Sequence, residues 1–119
     1  MGYTEAEITA TDFRLPHEHE AAALDSVRAW LERDIGYDLE VADLDAAFRL
    51  FGITIERDPA GDVVGFEFDG VLLAETDDLF QGIAPWVVDG STIDWKGGTG
   101  DRWRYVFADG VLQRTDPPS

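Results

Sequence analysis

The chain contains no cysteine, a single lysine and a single methionine among its 119 residues. Without cysteine it can form neither a disulfide nor a zinc site built from thiolates. No apolar run approaches the roughly 20 residues that a membrane-spanning helix requires. The opening residues, Met1 to Glu5, lack the basic stretch followed by an apolar one that marks a signal peptide. Because small secreted domains often depend on disulfides, we expect a cytoplasmic protein that does not bind membranes.

Positive charge is also scarce, since 25 Asp and Glu residues face 9 Lys and Arg residues, a formal net charge of −16 at pH 7. Proteins bind nucleic acids through Lys and Arg, which release counterions from phosphates, so we expect no direct nucleic-acid partner. Anionic membrane surfaces are disfavoured for the same reason. A basic protein surface is the partner that such a charge would attract and steer. A salt-rich cytoplasm or a GC-rich genome would produce the same bias with no partner involved.

Hydrophobic residues make up 45% of the chain and aromatic residues 12%, which is enough to build a core. At this length we predict one α+β domain over residues 1–115, followed by a frayed tail at 116–119. The predicted architecture is an antiparallel sheet of five or six strands with two or three helices packed on one face. The predicted strands are 4–11, 53–57, 63–68, 71–74, 92–96, 102–107 and 111–115. The predicted helices are 17–34, a short one capped by Asp43 and another capped by Thr76 or Asp77.

The clearest local pattern is a hairpin closed by the loop at residues 97–101. In the simplest register Trp95 faces Trp103 and Asp94 faces Arg104, so aromatic side chains share one face and charged ones the other. One interpretation is a buried aromatic face backed by a solvated Asp–Arg pair. The other is an exposed aromatic patch that a partner covers, because Trp, Tyr and Arg dominate the energetics of protein interfaces. Trp95, Trp103 and Arg104 are therefore candidate partner-binding residues.

The acidic residues concentrate at three places: the outward face of the first strand, the connection into the second helix and the start of the third helix. If these surfaces adjoin, they form a broad negative patch that suits a basic partner. Otherwise they belong to a generally solvated acidic surface. The candidate partner-binding acids are Glu5, Glu7, Asp38, Glu40, Asp43, Asp45, Asp77 and Asp78.

Patterns that would indicate catalysis or metal binding are weak. His17 and His19 are the only histidines, and a separation of two residues places them on different sides of a helix, unlike the i, i+4 pair of helical zinc sites. Hydrolases use paired acids such as Asp43 with Asp45, but close pairs arise by chance among 25 acids. The glycine-rich loop precedes a strand, whereas a phosphate-binding loop precedes a helix. We predict no catalytic residue, no metal and no cofactor, and therefore a protein that is not an enzyme.

Residues 100–110 read Gly-Asp-Arg-Trp-Arg-Tyr-Val-Phe-Ala-Asp-Gly. The region from Asp77 to Gly110 resembles the C-terminal part of small uncharacterised α+β proteins encoded by phages and prophages, whose pattern is Gly-Asp-x-Trp-x-x-x-Phe-x-x-Gly. The resemblance implies a phage origin, and small acidic phage proteins often block a host protein. We therefore expect a non-enzymatic acidic binding protein, an inhibitor or modulator of a basic host protein. The alternatives are an immunity protein against a cationic toxin, a small carboxylate-based hydrolase and a virion component.

Overall fold

The computed structural model describes residues 4–36 and 41–115. The helices are α1 (Glu20–Trp30), α2 (Leu44–Arg49) and α3 (Thr76–Ile83). The strands are β1 (Thr4–Asp12), β2 (Thr54–Arg57), β3 (Val63–Glu67), β4 (Asp69–Leu72), β5 (Ser91–Gly97), β6 (Arg102–Ala108) and β7 (Val111–Thr115). Short helical turns flank α1 at His17–His19 and Leu31–Ile35 and follow α3 at Ala84–Trp86. None of these helices is long and apolar enough to cross a membrane.

Five strands form one antiparallel sheet in the order β4–β1–β5–β6–β7, and β2 pairs with β3 in a second, two-stranded sheet. Only Phe68 separates β3 from β4, so the chain passes directly from one sheet to the other. Leu15, just after β1, forms a β-bridge with Val63 at the start of β3. This architecture confirms the predicted α+β fold with an antiparallel sheet and three helices.

The core lies between the five-stranded sheet and the helices. β5 and β6 alternate strictly, and the side chains that they bury are Ser91, Ile93, Trp95, Trp103, Tyr105 and Phe107. Phe80 of α3 lies at the centre of the aromatic cluster, because its ring centroid is within 5.1–6.1 Å of those of Phe48, Phe66, Trp95 and Tyr105. Burial of one such side chain contributes roughly 1.5–3 kcal/mol, so this cluster is a major source of stability.

Local signals place two of the elements as predicted and one differently. α2 begins at Asp43, whose carboxylate accepts a hydrogen bond from the N–H of Ala46 at 2.8 Å, which confirms the predicted cap. The predicted cap of α3 is wrong: Glu75 precedes the helix, and Thr76 is its first residue, buried with a hydroxyl that has no partner among the described residues. The turn between β6 and β7 has positive φ at Asp109 and Gly110, as a tight two-residue hairpin turn requires.

β1 departs from the predicted alternation at Thr9. The pairing of β1 with β5 shifts between Ile8 and Ala10, so Ile8 pairs with Trp95 and Ala10 with Asp94. Such a bulge inserts one residue and reverses the faces of the residues beyond it. Ala10 is therefore exposed, although strict alternation along β1 would place it on the same covered face as Ile8.

Candidate functional site

The β5–β6 hairpin has the predicted register, with Trp95 opposite Trp103 and Asp94 opposite Arg104. Its aromatic face belongs to the core, since Trp95 is 1% exposed and Trp103 is 5% exposed, with their rings stacked 5.9 Å apart. The interpretation of this face as an exposed patch for a partner is therefore wrong: the helices cover it. On the opposite face Arg104 donates to both oxygens of Asp94, at 2.6 and 3.2 Å, as the other interpretation predicted.

Asp77, at the start of α3, accepts a hydrogen bond from the buried face of the hairpin. The hydroxyl of Tyr105 donates a hydrogen bond to one carboxylate oxygen of Asp77, and Arg114 lies 3.4 Å from the other. Arg114 also lies over the Trp103 ring, 4.7 Å from its centroid. Burial raises the pKa of Tyr105 well above its usual value, and the hydrogen bond to Asp77 raises it further. Asp77 therefore satisfies a buried hydroxyl, while its neighbour Asp78 is exposed.

The tip of the β5–β6 hairpin is fastened to β1. The N–H of Gly98 donates to the carbonyl oxygen of Glu5, and the N–H of Gly97 to that of Asp101, both at 2.7 Å. A Cβ on Gly98 would lie 3.2 Å from the Glu5 Cβ, so the close approach of the two strands favours glycine here. The hydroxyl of Thr99 donates to the Asp101 carboxylate at 3.1 Å. These contacts hold Glu5 and Asp101 at the same end of the sheet.

Two adjoining clefts, which we call the tip clefts, flank Gly97 and Gly98. The cleft of about 260 Å³ is also lined by Glu5, Ala6, Glu7, Asp69 and Lys96. The cleft of about 560 Å³ is also lined by Glu5, Val71, Thr99, Asp101 and Trp103. Four acidic residues thus line the two clefts, and in the described part of the chain none of the four forms an ion pair with Lys or Arg. A cationic side chain would find several acceptors within one small region.

The remaining predicted acids lie elsewhere. Asp43 caps α2, and Asp45 is bound to Arg57 at 2.5 Å. Glu7 lies on the uncovered face of the sheet, whereas Asp77 bonds Tyr105 on the covered face, so the sheet separates these two acids. Asp38 and Glu40 lie outside the described residues. The structure therefore does not bring the described candidate acids together in one broad patch.

A third cleft, of about 520 Å³, contains Arg57, which pairs with two carboxylates. It is lined by His17, Glu20, Ala21, Leu24, Asp43, Leu44, Asp45, Arg57 and Gly61. Arg57 donates to Glu20 and Asp45 and to the carbonyl oxygen of Gly61. The hydrogen bonds to the two carboxylates raise the pKa of Arg57 further above its usual value. The positive charge of Arg57 is already neutralised within the chain. We therefore interpret these contacts as structural links that hold α1, α2 and the β2–β3 hairpin together.

Arg14 forms a similar structural link on the turn between β2 and β3. It pairs with Asp58 at 3.2 Å and with Asp62 at 2.5 Å, and Asp62 also accepts the N–H of His17 at 2.8 Å. Desolvation alone raises the pKa of Asp58, but hydrogen bonds from Arg14 and from the backbone of Asp62 and Ala60 lower it below its usual value.

Within residues 4–36 and 41–115, no three His, Asp or Glu side chains are arranged to hold a metal ion.

Sequence reasoning missed two of the four carboxylates at the tip clefts. Asp69 reaches the site because β4 pairs with β1, which sets Asp69 directly opposite Glu7. No local pattern signals that pairing, since the two residues are far apart in the chain. The position of Asp101 near the tip was predictable from the sequence, because Asp101 is the last residue of the predicted hairpin loop.

The fold and site together define an α+β protein whose antiparallel sheet is covered on one face and carries acidic clefts at one hairpin tip. No family model matches the chain, and no curated protein or solved structure matches it. The likeness of residues 100–110 to phage-encoded proteins stays a resemblance. Function is therefore inferred from the geometry of this chain.

Proposed function

We propose that the protein is a non-enzymatic acidic binding protein that captures a cationic segment of a partner protein at the tip clefts. In this role it acts in the cytoplasm as an inhibitor or modulator of a basic protein, of the kind that phages encode. The observation that carries the proposal is that Glu5, Glu7, Asp69 and Asp101 line the two adjoining clefts beside Gly98.

The clefts offer a Lys or Arg side chain both charge and apolar contact. Carboxylates of Glu5 and Asp101 can accept charge-assisted hydrogen bonds from its head group. Val71, 46% exposed, suits the methylene stem of such a side chain. Each exposed pair contributes only about 0.2–1 kcal/mol, so useful affinity requires several cations on the partner.

β4 adds a second means of contact. It is an edge strand of the five-stranded sheet and carries Val71, and Leu73 just beyond it is 45% exposed. An edge strand presents unpaired backbone groups to which an extended segment can add. A basic segment laid along β4 would bring its side chains to Glu5 and Asp69, and the net charge of −16 would steer its approach.

The hydrolase alternative has less support, because the acid pairs that suggested it have structural roles. Asp43 caps a helix, Asp45 pairs with Arg57, and Asp77 accepts from Tyr105. A general acid or base must instead be able to reach a proton of the substrate. An immunity protein against a cationic toxin would use the same tip clefts, and the identity of the partner distinguishes it from an inhibitor.

The proposal is tested by titrating a short peptide of alternating arginine and serine into the protein and following binding by calorimetry. Replacement of two cleft carboxylates in the E5Q/D101N variant should weaken binding roughly tenfold, about 1.4 kcal/mol. Binding by the unmodified protein should weaken as NaCl rises, because salt screens exposed charges.

The matched control is the E18Q/E32Q variant, which removes the same charge from exposed positions around α1. It should bind the peptide almost as well as the unmodified protein. Equal weakening in both variants would mean that the peptide responds only to total charge, and the proposed site would be rejected.

A further inference from the structure

The face of the five-stranded sheet opposite the helices is uncovered in the described chain. Paired residues share a face, so the register identifies the outward side chains of the three central strands. None of them is buried: they are Glu5, Glu7, Ala10 and Asp12 on β1, Thr92, Asp94 and Lys96 on β5, and Arg102, Arg104, Val106 and Ala108 on β6.

Four charged residues form a line across this face, which we call the charge row. Asp69 of β4 pairs with Glu7 of β1, Glu7 with Lys96 of β5, and Lys96 with Arg102 of β6. At about 4.8 Å per strand, the row is about 14 Å long. Its charges are separated, with two acids at one end and two bases at the other. Like charges directly opposite each other are unfavourable, so each half of the row repels itself.

We propose that this face binds a second copy of the chain and that the charge row sets the arrangement of the two copies. A two-fold axis parallel to the strands, passing between β1 and β5, reverses the row end for end. Asp69 then meets Arg102 of the second copy, and Glu7 meets its Lys96, so symmetry gives four opposite-charge pairs. A two-fold axis across the strands would place like charges on like charges. Closed dimers use such a self-complementary surface.

The axis between β1 and β5 sets four strands of each copy, β4, β1, β5 and β6, over those of the other and leaves β7 outside the contact. Four strands at about 4.8 Å spacing and roughly 23 Å length give at most about 440 Å² per copy, or about 880 Å² in total. This is smaller than the roughly 1,000 Å² of a stable specific interface, so we expect a weak and transient dimer. Val71, 46% exposed, projects from the same face on β4, the strand that carries Asp69.

The net charge of −16 on each copy opposes association and makes the salt dependence informative. At about 0.15 M salt the Debye length is about 8 Å, so repulsion between distant charges is screened while pairs in contact retain most of their attraction. Dimerisation should therefore strengthen from low salt to about 0.15 M and weaken again towards 1 M.

This inference does not depend on the proposed function. The two share Glu7, Asp69 and Lys96, so a bound peptide and a second copy would compete for this end of the sheet, but Arg102 belongs only to the charge row and Asp101 only to the tip clefts. Loss of peptide binding in E5Q/D101N with an intact dimer, or the reverse, would separate the two proposals.

The experiment is sedimentation velocity at about 0.15 M NaCl over a range of protein concentrations. The unmodified chain, of 13.2 kDa, should approach twice that mass at high concentration. The K96E/R102E variant, whose row is entirely acidic, and the E7K/D69K variant, whose row is entirely basic, should each dissociate at least roughly 100-fold more readily. An equimolar mixture of the two variants should recover the dimer, because all four pairs are again opposite in charge.

The matched control is R33E/R49E, which changes the net charge as K96E/R102E does but alters exposed positions after α1 and on α2. It should dimerise like the unmodified chain and should form no complex with E7K/D69K. A chain that stays monomeric at all concentrations, or a K96E/R102E variant that dimerises normally, would overturn the proposal. Recovery of dimer in the mixture also shows that both variants are folded.

Discussion

The two faces of the five-stranded sheet are made from alternate residues of the same strands, yet one face is aromatic and buried and the other is charged and uncovered. The covered face joins Trp95, Trp103 and Tyr105 to Phe80 of α3. The uncovered face carries the charge row and the Arg104–Asp94 pair. Stability should therefore reside almost wholly on one face, leaving the other free to change its charges for binding.

The largest effect expected from this contrast is on the covered face. Phe80→Ala removes a fully buried ring that touches four other rings, and it should lower the free energy of unfolding by about 3–5 kcal/mol. Val106→Ala, on the uncovered face, should cost less than about 1.5 kcal/mol. Urea unfolding of both variants measures the difference. Similar costs would show that the two faces contribute alike.

A smaller effect is expected at the polar contact inside the covered face. Tyr105→Phe removes the hydrogen bond to Asp77 and should cost about 1–2 kcal/mol at neutral pH. Burial raises the pKa of Tyr105 in the folded state, so its contribution is complete below the usual value of 10.0 and is lost as pH rises beyond it. The unmodified protein should thus lose more stability than the variant between about pH 8 and pH 11. Parallel losses measured by urea unfolding would contradict the assigned environment of this tyrosine.

The smallest effect is expected on the uncovered face. Lys96→Ala removes a cation that lies between Glu7, which attracts it, and Arg102, which repels it, so it should change the free energy of unfolding by less than about 0.5 kcal/mol. The measurement requires dilute protein, where the chain is monomeric. A loss above about 1 kcal/mol would show that Lys96 forms a strong ion pair with Glu7 in the monomer and is not free to pair with a second copy.

Local sequence patterns were enough to predict most of the fold. Strict alternation and a five-residue loop were enough to predict that Trp95 faces Trp103, because neighbouring strands leave few registers. Apolar spacing placed all three helices, and an Asp at position 43 marked the start of α2. The bulge at Thr9 was not predictable from alternation, because it depends on how β1 pairs with β5.

Long-range pairing determined what the sequence could not predict about the site. Whether the aromatic face of the hairpin was core or surface depended on the position of α3. Asp69 joins Glu7 only because β4 pairs with β1, and Asp45 is neutralised only because Arg57 arrives from β2. The count of acids also gives no sign of which ones are bound within the chain, as Asp58 and Asp62 are by Arg14 and Glu20 is by Arg57.

The strand directions place both ends of the described chain beside the hairpin tip. Glu5, near the start of β1, is bound to Gly98, while Thr115, at the end of β7, pairs with Arg104 near the start of β6. A fusion partner or immobilisation tag at either end would therefore crowd the acidic clefts. The turn at Asp109 and Gly110 lies at the far end of the sheet, so a fluorophore or surface linkage installed there would leave the clefts accessible.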